Sequence, residues 1–143
     1  MRYAYPVVLE PERDGTAVNV AFPDVPEALT WGDDKREALQ LAQDCLVTAL
    51  GWRVGHGQPI PRPTPARGRP MIAVPPLVAA KLALYTAMRE QGIDQAELAC
   101  RLGVSDKVVS SFLHLKRRMH IAHLERALAQ LGVQLEVSVR EAA

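Results

Sequence analysis

The chain has 143 residues, 48% of them hydrophobic, and 17 Lys and Arg nearly balance 16 Asp and Glu for a net charge of +1. That length suits one ordinary domain or two small ones, and the apolar content excludes a disordered composition. No stretch approaches the ~20 apolar residues of a membrane span and the start lacks the apolar run of a secretory signal, so a cytoplasmic protein without a membrane partner is expected.

In chain order, YAYPVVLEP reads as a strand with Tyr3, Tyr5, Val7 and Leu9 on one side. EPERDG is a turn closed by Gly15, and TAVNVAF is a second strand with Val18, Val20 and Phe22 on one face. PDVPEA interrupts the chain with two prolines before ALTW, a short third strand. Asp33 or Asp34 is placed to cap the following helix, whose Ala38, Leu41, Ala42, Cys45, Leu46 and Ala49 form one apolar stripe. GHGQPIPRPTPARGRP is a flexible loop, extended where prolines cluster, that holds His56 and returns the chain to the sheet through MIAV. This front region, residues 1–76 with its Pro-rich loop at 55–70, is a β-β-β-α-β domain, and residues 77–143 form a second one. Pro75 and Pro76 open a helix that Gly92 ends. Two short helices follow, then one carrying Ile121, Leu124, Ala127, Leu128 and Leu131 that Gly132 stops. The alternating Val133, Leu135, Val137 and Val139 predict a C-terminal strand. Cys45 and Cys100 both sit in helical patterns and are expected to be buried free thiols.

The stretch from Asp94 to Arg118 carries the clearest chemistry. Two helices crossing closely need a small residue at the crossing, which Ala99 supplies, and a sharp turn, which Gly103 supplies. Leu98, Leu102, Val104, Val109 and Phe112 have the spacing of a shared core. Ser105 caps the second helix, leaving Asp106, Lys107, Ser110 and Ser111 outward near its N-terminus, the part that enters a major groove. Gln95 is placed to touch a phosphate, and Lys116, Arg117 and Arg118 suit backbone contacts. The pattern Q-x-x-L-A-x-x-L-G-V-S resembles the Cro/repressor-type helix-turn-helix family, in which the positions matching Gln95, Asp106, Lys107 and Ser111 lie at double-stranded DNA. Asp106 departs from the neutral or basic residue usual there. A single module covers little DNA, so a homodimer, or a higher oligomer such as a tetramer, is expected, with the C-terminal strand pairing across its axis.

The charges are unevenly spread. Residues 1–54 hold five basic and nine acidic residues, residues 55–76 three basic and none acidic, and residues 77–143 nine basic and seven acidic. An acidic front and a mildly basic rear imply two surfaces with different partners.

The front region also resembles a known family. Pro23, Asp24, Pro26, Ala28, Thr30, Gly32 and Asp33, followed by Glu37, Ala38 and Leu39, are similar to the HicB antitoxins, where P-D-x-P-x-A/C-x-T-x-G-D leads into an E-A-L helix. Glu27 and Ala28 stand where many relatives have glycine and cysteine. The order, this domain first and a helix-turn-helix second, matches as well, so the resemblance covers nearly the whole chain. It implies an α+β protein: a partial ribonuclease-H-like domain that binds and blocks a HicA-type mRNA-cleaving toxin, followed by an all-α helix-turn-helix domain that represses the chain's own operon. Asp24, Glu27, Trp31, Asp33 and Asp34 are the expected toxin-facing residues. An acidic surface suits a basic RNA-cleaving partner.

No catalytic residue, metal site or cofactor is expected. Two-metal phosphoryl chemistry needs convergent carboxylates, whereas Asp14, Asp24, Asp33, Asp34 and Asp44 sit in turns, caps and a polar helix face. His114, His120 and His123 lack the further ligand that zinc requires. Trp31 and Trp52 flank the long helix and read as packing residues, with a partner anchor as the alternative. Two other functions compete: a dimeric regulator whose front domain senses a small molecule, and a nuclease.

Overall fold

The structure, a computed structural model, describes residues 1–141. It is mixed α and β and divides into two compact units, Met1–Ala79 and the residues from Ala80 onward. Among the described residues no helix is long and apolar enough to cross a membrane.

In the first unit the expected N-terminal strand is broken at Val7 into β1 (Ala4–Pro6) and β2 (Val8–Pro11). The break has a topological reason, because the two halves serve different partners. β2 pairs antiparallel with β3 (Val18–Ala21), Leu9 opposite Val20. β1 pairs antiparallel with β5 (Met71–Ala73), Tyr5 opposite Ile72, and Val7 N–H bonds Pro70 O at 2.9 Å. β3 also pairs with β4 (Leu29–Gly32), giving the order β2-β3-β4. β2 and β4 are therefore edges, and Pro11, which has no N–H to donate, ends the β2 edge. Between β3 and β4 two successive turns, Val25 N–H to Phe22 O and Ala28 N–H to Val25 O, bury all three residues.

The single long helix α1 (Lys35–Gly55) starts at Asp34, whose carboxylate accepts from Glu37 N–H at 2.8 Å. Glu37 reciprocates by accepting from Asp33 N–H at 2.8 Å. The Glu37 amide in the first turn and the Asp33 amide just before the cap are thus satisfied. Ala38, Ala42, Leu46, Val47, Ala49 and Leu50 are the buried residues of α1. Gly32 lets β4 come this close: a Cβ there would lie 2.4 Å from Ala38 N and 2.7 Å from Ala38 Cα.

The Pro-rich segment has no regular structure but is tied down, contrary to the flexible loop expected of it. Tyr5 Oη donates to Pro61 O at 2.8 Å, Gln58 N–H to Arg53 O at 2.8 Å, and Thr64 bonds Asp24 through both its N–H and its hydroxyl. Prolines lower the entropy lost on fixing such a segment, so three anchors hold it. His56 is not in this loop; it is the C-cap of α1, stacked on Trp52.

In the second unit lie most of α2 (Pro76–Gln91), and then α3 (Gln95–Leu102), α4 (Asp106–Leu113) and α5 (Ile121–Gln130). Gly92 and Gly132 take positive φ after α2 and α5, as helix-terminating glycines do. Leu82, Leu84, Leu98, Val109, Leu124 and Leu128 are fully buried. The strand expected over Val133–Val139 does not form. A strand exists only as part of a ladder, and this segment has none in the single chain; Val137 and Val139 are left exposed. Cys100 is exposed and Cys45 half-buried, so the expectation of two buried thiols fails. Cys100 lies on the outward side of α3, opposite the buried Leu98 and Ala99.

Candidate functional site

α3 and α4 are two eight-residue helices joined through Gly103, Val104 and Ser105. Each has a side-chain N-cap. Asp94 accepts from Glu97 N–H at 2.8 Å, and Ser105 from Val108 N–H at 3.3 Å. Gly103 ends α3 in the left-handed conformation, at φ 68°, and Val104 N–H returns to Ala99 O. Leu98, Ala99, Val109 and Phe112 are buried, while Leu102 and Val104 are half-buried at the turn.

The polar residues singled out on this pair fall on its outside. Gln95, Ser105, Asp106, Lys107 and Ser110 are exposed, Ser111 is half-buried, and Lys116, Arg117 and Arg118 are exposed beyond α4. The first turn of α4 thus presents Asp106 and Lys107 at a capped helix N-terminus. His120 and His123 lie exposed at the start of α5 with ring centroids 6.0 Å apart.

Lys81 on α2 was not anticipated. It is fully buried, and its ammonium donates to Ser111 O at 3.1 Å and His114 O at 2.6 Å. These carbonyls lie at the end of α4 and just past it, where His114 N–H also reaches Ser111 O at 3.3 Å and Arg117 N–H reaches His114 O at 3.0 Å, and where a cation is favoured. Lys81 therefore fixes the end of the helix that carries Lys107. Burial, and secondarily the charge of Arg117, pull its pKa down to about 8. The sequence does hold a signal: Lys81 is the one charge between Pro76 and Met88.

The front unit separates its expected residues. Asp24 is half-buried and committed to Thr64, so it anchors the loop. Asp34 is the cap of α1 and Asp33 is exposed beside it. Glu27 forms a two-pronged pair with Arg53, one arm being Nη2 to Oε2 at 3.0 Å. Hydrogen bonds from Arg53 hold the Glu27 carboxyl below its usual range. Trp31 is exposed on β4, and Trp52 is exposed on α1, so neither packs in the core as expected.

Trp52 belongs instead to a groove of about 930 Å³ between β4 and α1. Glu27, Leu29, Leu41, Cys45, Trp52 and Arg53 are among its walls. Leu29 is 67% exposed, Trp52 56% and Leu41 41%. Leu41 and Cys45 had been read into the same stripe as the core residues. The stripe is wider than the sheet can cover, and its outer half lines open space. Burial, then the Asp44 charge, raise the Cys45 thiol pKa, which keeps it a neutral apolar wall. Among the described residues no group of three His, Cys, Asp or Glu is placed to hold a metal.

A family model described as a HicB-like antitoxin of bacterial toxin–antitoxin systems matches residues 4–83. Over nearly its whole length the chain is similar to curated proteins. It is 38% identical to antitoxin HicB 1 of Photorhabdus laumondii, covering 94% of this chain and 86% of that one. It is 35% identical to antitoxin HicB of Escherichia coli, covering 93% and 96%, and 34% identical to antitoxin HicB of Pseudomonas fluorescens, covering 94% and 93%.

Proposed function

Because the chain belongs to the HicB-like antitoxins of bacterial toxin–antitoxin systems, we propose that its front unit binds and neutralises a HicA-type mRNA-cleaving toxin while its rear helices repress its own operon. The front unit, read as a partial ribonuclease-H-like fold, offers in residues 1–54, with nine acidic against five basic residues, an acidic portion that a basic RNA-binding enzyme meets favourably. α3 and α4 are read as a helix-turn-helix, with Lys107, Ser110 and Asp106 entering the major groove and Gln95, Lys116, Arg117 and Arg118 on phosphates. The protein acts in the cytoplasm, where the toxin's mRNA targets and its own operator lie, and it is no enzyme.

The observation that carries the DNA-binding half is the α3–α4 pair itself. Both helices are side-chain capped, the turn is left-handed at Gly103, and the polar residues outside the shared core are exposed. Two recognition helices about 34 Å apart would require a dimer. The unladdered Val133–Val139 segment supplies its seam by pairing across the axis, and two such dimers give a tetramer. Repression then depends on the toxin-to-antitoxin ratio, since excess toxin bridges or crowds the bound dimers.

The test has two arms on the purified full chain. Added to the toxin of the same operon, it should stop RNA cleavage; continued cleavage at antitoxin excess sinks the neutralisation half. In gel shifts it should retard its promoter. Lys107→Ala, or Arg117→Ala with Arg118→Ala, should weaken that retardation about tenfold or more and leave toxin inhibition intact. Loss of both activities would mean that the two units do not act independently.

A further inference from the structure

We infer that the groove between β4 and α1 is where the basic toxin docks, adding a strand to the free edge of β4 and seating apolar side chains among Leu29, Leu41 and Trp52. This deepens the antitoxin reading and rests on it.

Three features point to one occupant. First, β4 is paired with β3 alone, so half of its backbone donors and acceptors face outward, as at any sheet edge. Proteins usually blunt such an edge with a lysine, a proline or a bulge. β4 reads LTWG and has none of these, and its Leu29 and Trp31 are exposed. Second, α1 sets Leu41, Cys45 and Trp52 beside that edge. A strand laid along β4 would have backbone partners on one side and an apolar floor under alternate side chains, the two components of strand-addition recognition. Third, the groove carries a small negative excess. Its walls hold Glu27, Asp44 and Arg53, and Glu27 and Arg53 are paired with each other. Asp33 and Asp34 follow at the end of β4, with Lys35 and Arg36 after them.

The charges decide between occupants. A second copy pairing β4 against β4 in antiparallel fashion would bring Asp33 and Asp34 of one chain toward the Glu27–Arg53 pair of the other, three carboxylates against one guanidinium. Like charges across such a seam are unfavourable. A protein that binds RNA presents cations to phosphate, and the same cations meet these carboxylates. A small molecule is poorly served, because walls this exposed would leave much of it in water, whereas small-ligand sites bury most of their ligand.

The test titrates the full chain with the purified HicA-type toxin of the same operon at two salt concentrations. Leu29→Lys combined with Leu41→Lys alters two exposed side chains and should leave the circular-dichroism spectrum unchanged. We expect it to weaken binding at least about 30-fold and to restore RNA cleavage, since apolar anchors dominate such interfaces. Glu10→Gln on the opposite edge, β2, should stay within about threefold of the parent. A folded double variant that still binds within threefold overturns the groove assignment and leaves the antitoxin reading standing. If the unsubstituted chain does not bind the toxin at all, the antitoxin reading fails and takes this inference with it. If the double variant changes the sedimentation of the antitoxin alone and not its toxin affinity, the occupant is a second copy and the inference is wrong.

Discussion

The same substitution, glycine to alanine, should act in opposite directions at the two ends of α1. At Gly32 the new Cβ would sit 2.4 Å from Ala38 N, 2.7 Å from Ala38 Cα and 2.9 Å from Glu37 C. All three are backbone atoms, so no rotamer change relieves them. Restoring ordinary contact requires the first turns of α1 to retreat by about 1 Å. Overpacking of this kind costs ~1–3 kcal/mol. The retreat also strains the paired caps Asp34 to Glu37 and Glu37 to Asp33, and losing a cap costs about 1 kcal/mol. Gly32→Ala should therefore destabilise the front unit by roughly 2–4 kcal/mol, a large share of ordinary domain stability. At Gly55, in the last turn of the same helix, an added Cβ meets nothing within 4 Å. There the helix gains propensity and the unfolded chain loses freedom, so Gly55→Ala should stabilise by ~0.5–1 kcal/mol. Urea denaturation followed by circular dichroism reads both. A Gly32→Ala midpoint within about 0.5 kcal/mol of the parent would refute the packing argument.

Other perturbations probe other parts. For Lys81 the folded pKa, about 8, lies below the unfolded 10.5, so the unfolded chain binds more protons between those values. Stability should rise with pH across that window, by on the order of 1–3 kcal/mol. Unfolding free energies at pH 7.5 and 10 should show the rise in the parent and lose it in Lys81→Met. Asp24→Ala removes both acceptors of Thr64; tryptic cleavage after Arg67, the arginine of this segment that no proline follows, should accelerate about tenfold while the circular-dichroism spectrum holds. Truncation after Gly132 should convert dimers to monomers in sedimentation, and an unchanged dimer would discount the C-terminal seam.

Local rules were legible in the sequence wherever one residue decides a local conformation. Asp33 or Asp34 as the cap of α1, Ser105 as the cap of α4 and Gly103 as a left-handed turn follow from short-range chemistry. What was not legible depends on partners distant in the chain. Val7 divides the first strand because β5, some 65 residues later, competes for half of it. Whether Leu41 and Cys45 face a sheet or open space depends on how far that sheet extends, which periodicity does not encode. Asp24 looked like a surface carboxylate until Thr64, 40 residues on, claimed it. Lys81 and Trp52 illustrate the converse. A charge within an apolar run and a tryptophan near a helix end carry signals, but their reading awaits knowledge of what lies opposite.

The pairing of β1 with β5 has a further consequence. Ala4 lies opposite Ala73, so the front unit begins and ends at one place, its first strand zipped to its last. Chain enters and leaves by a single doorway. Material attached beyond Ala73 can be lengthened or exchanged without breaking the β2-β3-β4 ladder or disturbing the groove on α1. Such a unit works as a plug, and a different cargo can be carried behind it while the face it offers its partner stays the same.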